Sequence, residues 1–474
     1  MELLWKSASD LADMVARREI KASELMTATI ARIELLNPKL NAFCALRFEQ
    51  AMDDAKALDQ RLARGEKPGS LAGLPLGVKD LEDVAGMVTT YGSVPFKDNV
   101  ASADSTQVAR LKAAGAIVVG KTNTPEFGHI GFTKNLLFGT TRNPWNPERT
   151  PGCSSGGSSA AIASGMVPLT TASDGGGSIR IPACYTGSFG LKPSQGRIPT
   201  KPWFGELDWT DIAVVGPITR TVKDATLYLD ATAGYHPADP SSLPRPGFSY
   251  REALDRPLGK LRIAYHPDFG RAELQPDVRR EVERAVQVFQ ELGHEVEVLN
   301  EAPPETGLEW VRLFFVRRRV LLRDWIENDK YRSQFNRTFL AALEMGDRLG
   351  WEDVVAAQRK RADLSRWLQG VFARCDLLLT PTLPTEAFAA EGPRVSTQGR
   401  AIEDVMMQSL AGIVFTYPFN FSGHPAASVR AGLTDSGMPC GLQIVAERHR
   451  DDLVLQASHA YEQARPWNDR WPLL

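Results

Sequence analysis

The feature that most constrains this 474-residue chain is a helical pattern that passes at once into an apolar strand. Val108, Leu111 and Lys112 follow a helical spacing that stops at Gly115, and Ala116-Ile117-Val118-Val119 then runs on without a polar position, closed by Gly120-Lys121. A strand with no polar face must be covered on both sides, as happens when helices flank a partly parallel sheet. The grammar returns later. Residues 277–292 place Val278, Val282, Ala285, Val286, Phe289 and Leu292 on one helical face, Gly293 closes it, and Glu295 to Leu299 alternates as a strand. Leu74 to Val78 and Leu261 to Tyr265 read as further strands. The first 65 residues read as helices, with Ser23 capping one that carries Met26, Ile30, Ile33 and Leu36 and ends near Pro38. The proline-rich segment 236–258 is the best linker candidate but is short, so one large domain is expected, with a peripheral helical insertion at about 305–370.

Composition excludes several classes. Hydrophobic residues at 43% and charged residues at 24% suit a sizeable core and exclude wholesale disorder. Lys plus Arg number 55 against 57 Asp plus Glu, a balance that leaves no electrostatic footprint for nucleic acid or an acidic membrane surface. The run Arg317-Arg318-Arg319 sits among apolar residues and reads as the polar face of a helix. The five cysteines, Cys44, Cys153, Cys184, Cys375 and Cys440, have no CxxC spacing and suit reduced thiols. Met1 to Lys6 lacks the order of a signal peptide, and no apolar run reaches the roughly 18 residues that span a bilayer. A soluble, cytoplasmic protein is expected.

The chemistry concentrates between residues 150 and 200. Gly152 to Ser159 (Gly-Cys-Ser-Ser-Gly-Gly-Ser-Ser) and Asp174 to Arg180 (Asp-Gly-Gly-Gly-Ser-Ile-Arg) bracket a small apolar run from Ala160 to Val167. Such glycine density implies unusual backbone angles or close approach to a ligand, and exposed N–H groups suit a phosphate or an oxyanion. A flexible linker fails on its apolar flanks. A nucleotide loop fails because neither cluster has GxxxxGK[ST] spacing and GxGxxG after a strand is absent. None of the seven histidines lies between His129 and His236, so a remote Ser–His–Asp triad and a lysine base both stay open. Lys79, ending a buried strand, is the natural lysine; an exposed strand terminus is the plainer reading.

Taken in order, Gly73 to Asp80 (GLPLGVKD), Gly120 to Gly128 (GKTNTPEFG), the two Gly/Ser clusters, Gly187 to Arg197, Val215 to Arg220, Cys375 to Thr382 and Gly437 to Gln443 resemble the amidase signature family from about residue 70 to the C-terminal region. The resemblance implies an α/β/α sandwich with a mixed, largely parallel central sheet covered by helices, with the signature core at about 70–220. It also implies a Ser–cis-Ser–Lys triad, with Lys79 as base, Ser154 as the relay serine and Ser178 as the acylated nucleophile. Backbone N–H groups of Gly175, Gly176, Gly177 and Ser178 would form the oxyanion hole, supported by Asp174, Arg180 and Ser155. No cofactor and no metal is expected. The partners expected are a small-molecule amide or carbamate and at most a second copy of the chain, with neither nucleic acid nor membrane.

Two departures stand out. Cys153 replaces the commoner glycine before the double serine, and Ile181 stands where tRNA-dependent amidotransferases carry glutamine. Trp203, Phe204, Leu207, Trp209, Trp310, Phe314 and Phe315 could line an apolar pocket or pack a core. The expected activity is hydrolysis of aryl amides and carbamates. The alternatives are the glutamine-hydrolysing subunit of an amidotransferase and a non-catalytic binding protein on the same fold.

Overall fold

The computed structural model describes residues 2–200, 210–392, 410–468 and 470–472. Its strands are β1 (Phe43–Leu46), β2 (Pro75–Lys79), β3 (Ile117–Thr122), β4 (Lys134–Asn135), β5 (Gly139–Thr140), β6 (Leu169–Asp174), β7 (Phe189–Lys192), β8 (Val214–Thr219), β9 (Arg262–Tyr265), β10 (Glu295–Val298), β11 (Leu377–Pro381), β12 (Ala426–Leu433) and β13 (Pro439–Ala446). Eleven of them form one sheet in the order β1-β3-β2-β6-β8-β7-β12-β13-β11-β9-β10, while β4 and β5 pair apart. The sheet is mixed. Parallel pairs form two blocks, β3-β2-β6 and β11-β9-β10. The strands between those blocks, and the edge pair β1–β3, run antiparallel.

The expected strands at Leu74, Ala116, Leu261 and Glu295 all form, within three residues at their ends. β2 and β3 are buried at every position, as their continuous apolar runs require. The helix Pro276–Glu291 buries Val278, Val282, Ala285, Val286 and Phe289. The stretch expected to be an insertion holds the helices Gly307–Leu321, Arg323–Ile326, Asp329–Arg332, Arg337–Met345 and Trp351–Phe372.

Three expectations need correction. Phe43–Leu46 is a strand inside the stretch expected to be helical. Ser23 lies inside the helix Ala22–Leu40, which starts from Lys21 and continues past Pro38; its hydroxyl donates to Asp59 instead. The arginine run is no solvated face, because Arg317 and Arg318 are buried. The helix that carries them packs against the helices Arg337–Met345 and Trp351–Phe372.

The small residues of the first Gly/Ser cluster have a packing reason. A Cβ on Gly157 would stand 2.4 Å from the backbone nitrogen of Asn123, so only glycine lets the helix Gly156–Ala163 press against the segment leaving β3. This approach brings the serines beside the end of β2.

Candidate active site

Lys79 is the last residue of β2 and is wholly buried. Its Nζ lies 2.7 Å from Ser154 Oγ, 2.7 Å from Ser155 Oγ and 2.8 Å from Ser173 Oγ. Three hydroxyls surround the amine, and no carboxylate among the described residues hydrogen-bonds to it. The contrast with Lys121 is instructive, since that equally buried amine sits 3.0 Å from the Asp80 carboxylate. Burial pushes Lys79 down from its ordinary value to about 7; Cys153, Glu82 and Asp174 oppose the fall and Arg318 adds to it. Near neutral pH a large share of Lys79 is therefore an unprotonated base.

Ser178 follows the glycine loop that leaves β6 at Asp174. Two carbonyls of that loop are tied down: Gly175 O accepts from Trp310 Nε1 at 2.8 Å, and Gly176 O accepts from Thr416 Oγ1 at 2.7 Å. Gly177 N–H, one of the donors expected for the oxyanion hole, donates to Asp174 Oδ1 at 2.7 Å. The N–H groups of Gly175, Gly176 and Ser178 have no acceptor among the described residues.

Asp174 and Arg180 form a buried ion pair behind the loop, at 2.9 Å. Burial alone would raise Asp174, but the Arg180 charge and hydrogen bonds outweigh it and hold the carboxyl at about 2. The guanidinium also donates to Thr416 O, Gln443 Oε1 and Asn420 Oδ1, so its donors are matched by acceptors. A buried charge pair persists only when its remaining hydrogen bonds are filled in this way.

The structure brings Lys79, Ser154 and Ser155 together, but Ser154 makes no hydrogen bond to Ser178. Ser178 Oγ instead lies 3.0 Å from Cys153 Sγ. Cys153 holds a left-handed φ of 36°, a conformation that favours glycine, so the departure at this position turns a thiol toward the serine at a backbone cost. Burial pushes that thiol up, which keeps it protonated near neutral pH. Ile181 is buried beside Gly177 and Gly152 and packs with Cys153, Cys184 and Tyr185.

Sequence reasoning missed Ser173, Thr416, Asn420 and Gln443. Ser173 was within reach, since β6 is the parallel neighbour of β2 and its end must lie near Lys79. Trp310 and Phe314 lie over the glycine loop, with Phe315 buried behind them; Trp203, Phe204, Leu207 and Trp209 fall outside the described residues. A surface hollow of about 600 Å³ bordered by Arg110, Asp230 and Tyr235 lies at the opposite ends of β2 and β3, and Arg110 is already held there by three backbone carbonyls. Among the described residues no helix is long and apolar enough to cross a membrane.

The sequence model described as Amidase matches residues 24–455, and the chain belongs to the amidase signature family of C–N hydrolases. It is 38% identical over 480 residues to the acylamidase of Rhodococcus erythropolis, covering 99% of this chain and 98% of that one. It is 34% identical over 495 residues to a subunit of the glutamyl-tRNA(Gln) amidotransferase of a Cyanothece species, covering 99% and 100%. Among solved structures, a bacterial aryl acylamidase of the amidase signature family superposes with a TM-score of 0.91 at 33% identity, covering 99% of this chain and 98% of that chain. The α/β architecture is that of these enzymes.

Proposed function

We propose that the chain hydrolyses aryl amides and aryl carbamates through an acyl-enzyme on Ser178. The observation that carries this reading is the Lys79 amine, desolvated among three hydroxyls and lowered to about 7. The cycle begins when Ser178 turns about its Cα–Cβ bond, away from Cys153 and toward Ser154. Neutral Lys79 takes the Ser154 proton, Ser154 takes the Ser178 proton, and Ser178 Oγ bonds to the substrate carbonyl carbon. Charge moves to the carbonyl oxygen, where the Gly175, Gly176 and Ser178 N–H groups receive it. As the C–N bond breaks, the Lys79 proton passes through Ser154 to the leaving amine. Water activated by the same route then frees the acid. A carbamate leaves a carbonate-type acyl group instead, whose hydrolysis product loses carbon dioxide.

The aryl preference draws support from Ile181, Trp310 and Phe314 around the glycine loop. A zwitterion set against such walls loses hydrogen bonds worth about 1–3 kcal/mol each. The test uses the purified chain alone, as monomer or homodimer, and compares kcat/KM for an anilide, a phenyl carbamate and glutamine. Mass spectrometry with a slow acylating substrate locates the adduct, expected on Ser178; an adduct on Cys153, Ser154 or Ser155 would overturn the mechanism. The likeness to the tRNA-dependent amidotransferase favours a second reading, as a glutamine-hydrolysing component of such a complex, and a larger kcat/KM for glutamine would establish that reading instead.

A further inference from the structure

The glycine loop is held from outside the signature core. Trp310 comes from the helix Gly307–Leu321 in the insertion, and its indole nitrogen has one proton, directed at Gly175 O over 2.8 Å. Thr416 comes from the far end of the chain, and its single hydroxyl proton has two acceptors in range, Gly176 O at 2.7 Å and Ile413 O at 3.0 Å. Trp310 is thus the less ambiguous of the two ties. It is also in close contact, because a Cβ on Gly176 would fall 2.4 Å from the Trp310 ring.

In a trans peptide the carbonyl and the following N–H point in opposite directions. Holding Gly175 O on the Trp310 side therefore turns the Gly176 N–H to the other side, where it has no acceptor among the described residues. The indole proton is engaged by backbone, so Trp310 acts on the oxyanion only through the loop. The ring is fixed in turn by Tyr417 and Phe314, with centroids 5.7 Å and 5.0 Å away. Tyr417 is itself anchored by its hydroxyl, which donates to Glu305 at 2.9 Å.

We propose that Trp310 is a positioning residue for the oxyanion loop, its indole N–H holding the Gly175 carbonyl so that the Gly176 N–H meets the developing oxyanion. The inference rests on Ser178 being the nucleophile. Preorganised donors matter in the transition state and little in the ground state, so loss of the tie lowers kcat and leaves KM alone.

The experiment compares Trp310→Phe, which keeps a ring and loses the donor, with the wild-type chain on one anilide. The expected result is a fall in kcat of about 10- to 100-fold with KM within about twofold. The affinity of an aryl trifluoromethyl ketone, which forms an oxyanion on Ser178, should fall by the same factor as kcat/KM. A kcat within about threefold of wild type, or equal losses in KM and ketone affinity, overturns the proposal. Because the smaller ring leaves space, a second protein carries benzothienylalanine at position 310, which preserves the indole shape and lacks only the N–H; it must show the same kcat loss. A fluorophosphonate that labels wild-type Ser178 separates the two claims. Labelling with an unaffected Trp310→Phe enzyme defeats the positioning role alone, whereas failure to label Ser178 defeats the nucleophile and the positioning role together.

Discussion

The Lys79 environment fixes the shape of the pH–rate profile. With the amine at about 7, its neutral fraction is about a tenth at pH 6, half at pH 7 and nine-tenths at pH 8. The competent form is the deprotonated one, so activity is lost as pH falls through 7 and gained as it rises. Measured as kcat/KM on an anilide from pH 5.5 to 9.5, the rate should climb about tenfold between pH 6 and 8 and then level. A lysine at its ordinary value would give a different curve, still rising about tenfold per unit at pH 9. Two other buried groups titrate nearby: burial raises Glu126 to about 7, and burial together with the Arg180 charge lowers Lys192 to about 7. Glu126→Gln and Lys192→Met should therefore keep the inflection. Lys79→Ala should lose at least about a hundredfold in rate at every pH, with no recovery in alkali. A flat profile, a slope persisting beyond pH 9, or a Lys79→Ala enzyme within tenfold of wild type would refute the reasoning.

Other substitutions probe the loop and its support. Ser178→Ala should abolish turnover with an unchanged melting temperature, measured side by side by anilide assay and calorimetry. Asp174→Asn strands the Arg180 charge in the interior and should cost about 3–5 kcal/mol in urea unfolding; a midpoint equal to wild type would contradict the buried pair. Because the Asp174 carboxyl is held at about 2, below its unfolded value, its stabilising contribution is present above about pH 4 and lost as pH falls through 2. The Asn variant should show a weaker decline of stability over that acid range. Gly176→Ala should lower both kcat and stability, since the new methyl meets the Trp310 ring; full retention of both would show that the contact yields freely.

The candidate segment was legible because it is local. Glycine and serine clusters within one short stretch, and a lysine closing an apolar strand, announce themselves without any knowledge of the fold. Trp310, Thr416, Asn420 and Gln443 were not legible as parts of the site, because each acts through long-range hydrogen bonds that leave no periodic trace. The arginine run misled for a related reason. Charge predicts solvent, yet Arg318 lies over the ring of Phe314, one turn back on its own helix, at 3.5 Å and donates to the Phe127 carbonyl, a partner supplied by tertiary packing. Phe43–Leu46 was missed because four residues between two helices carry too little alternation to read. The tie from the Gly177 N–H to Asp174 was not legible because sequence gives a residue's neighbours, whereas its partner is set by the turn that brings Asp174 back over the loop.

The order of strands bears on how the protein is made. β12 pairs with β7 and β13, and β13 with β11, so the two parallel blocks are joined only through the last strands to be synthesised. The acceptors that hold Arg180, from Thr416, Asn420 and Gln443, arrive equally late. A nascent chain just past Ser178 lacks this half of its sheet and leaves Arg180 donors without those acceptors behind the glycine loop. A product truncated before Thr416 is therefore expected to be inert toward amides.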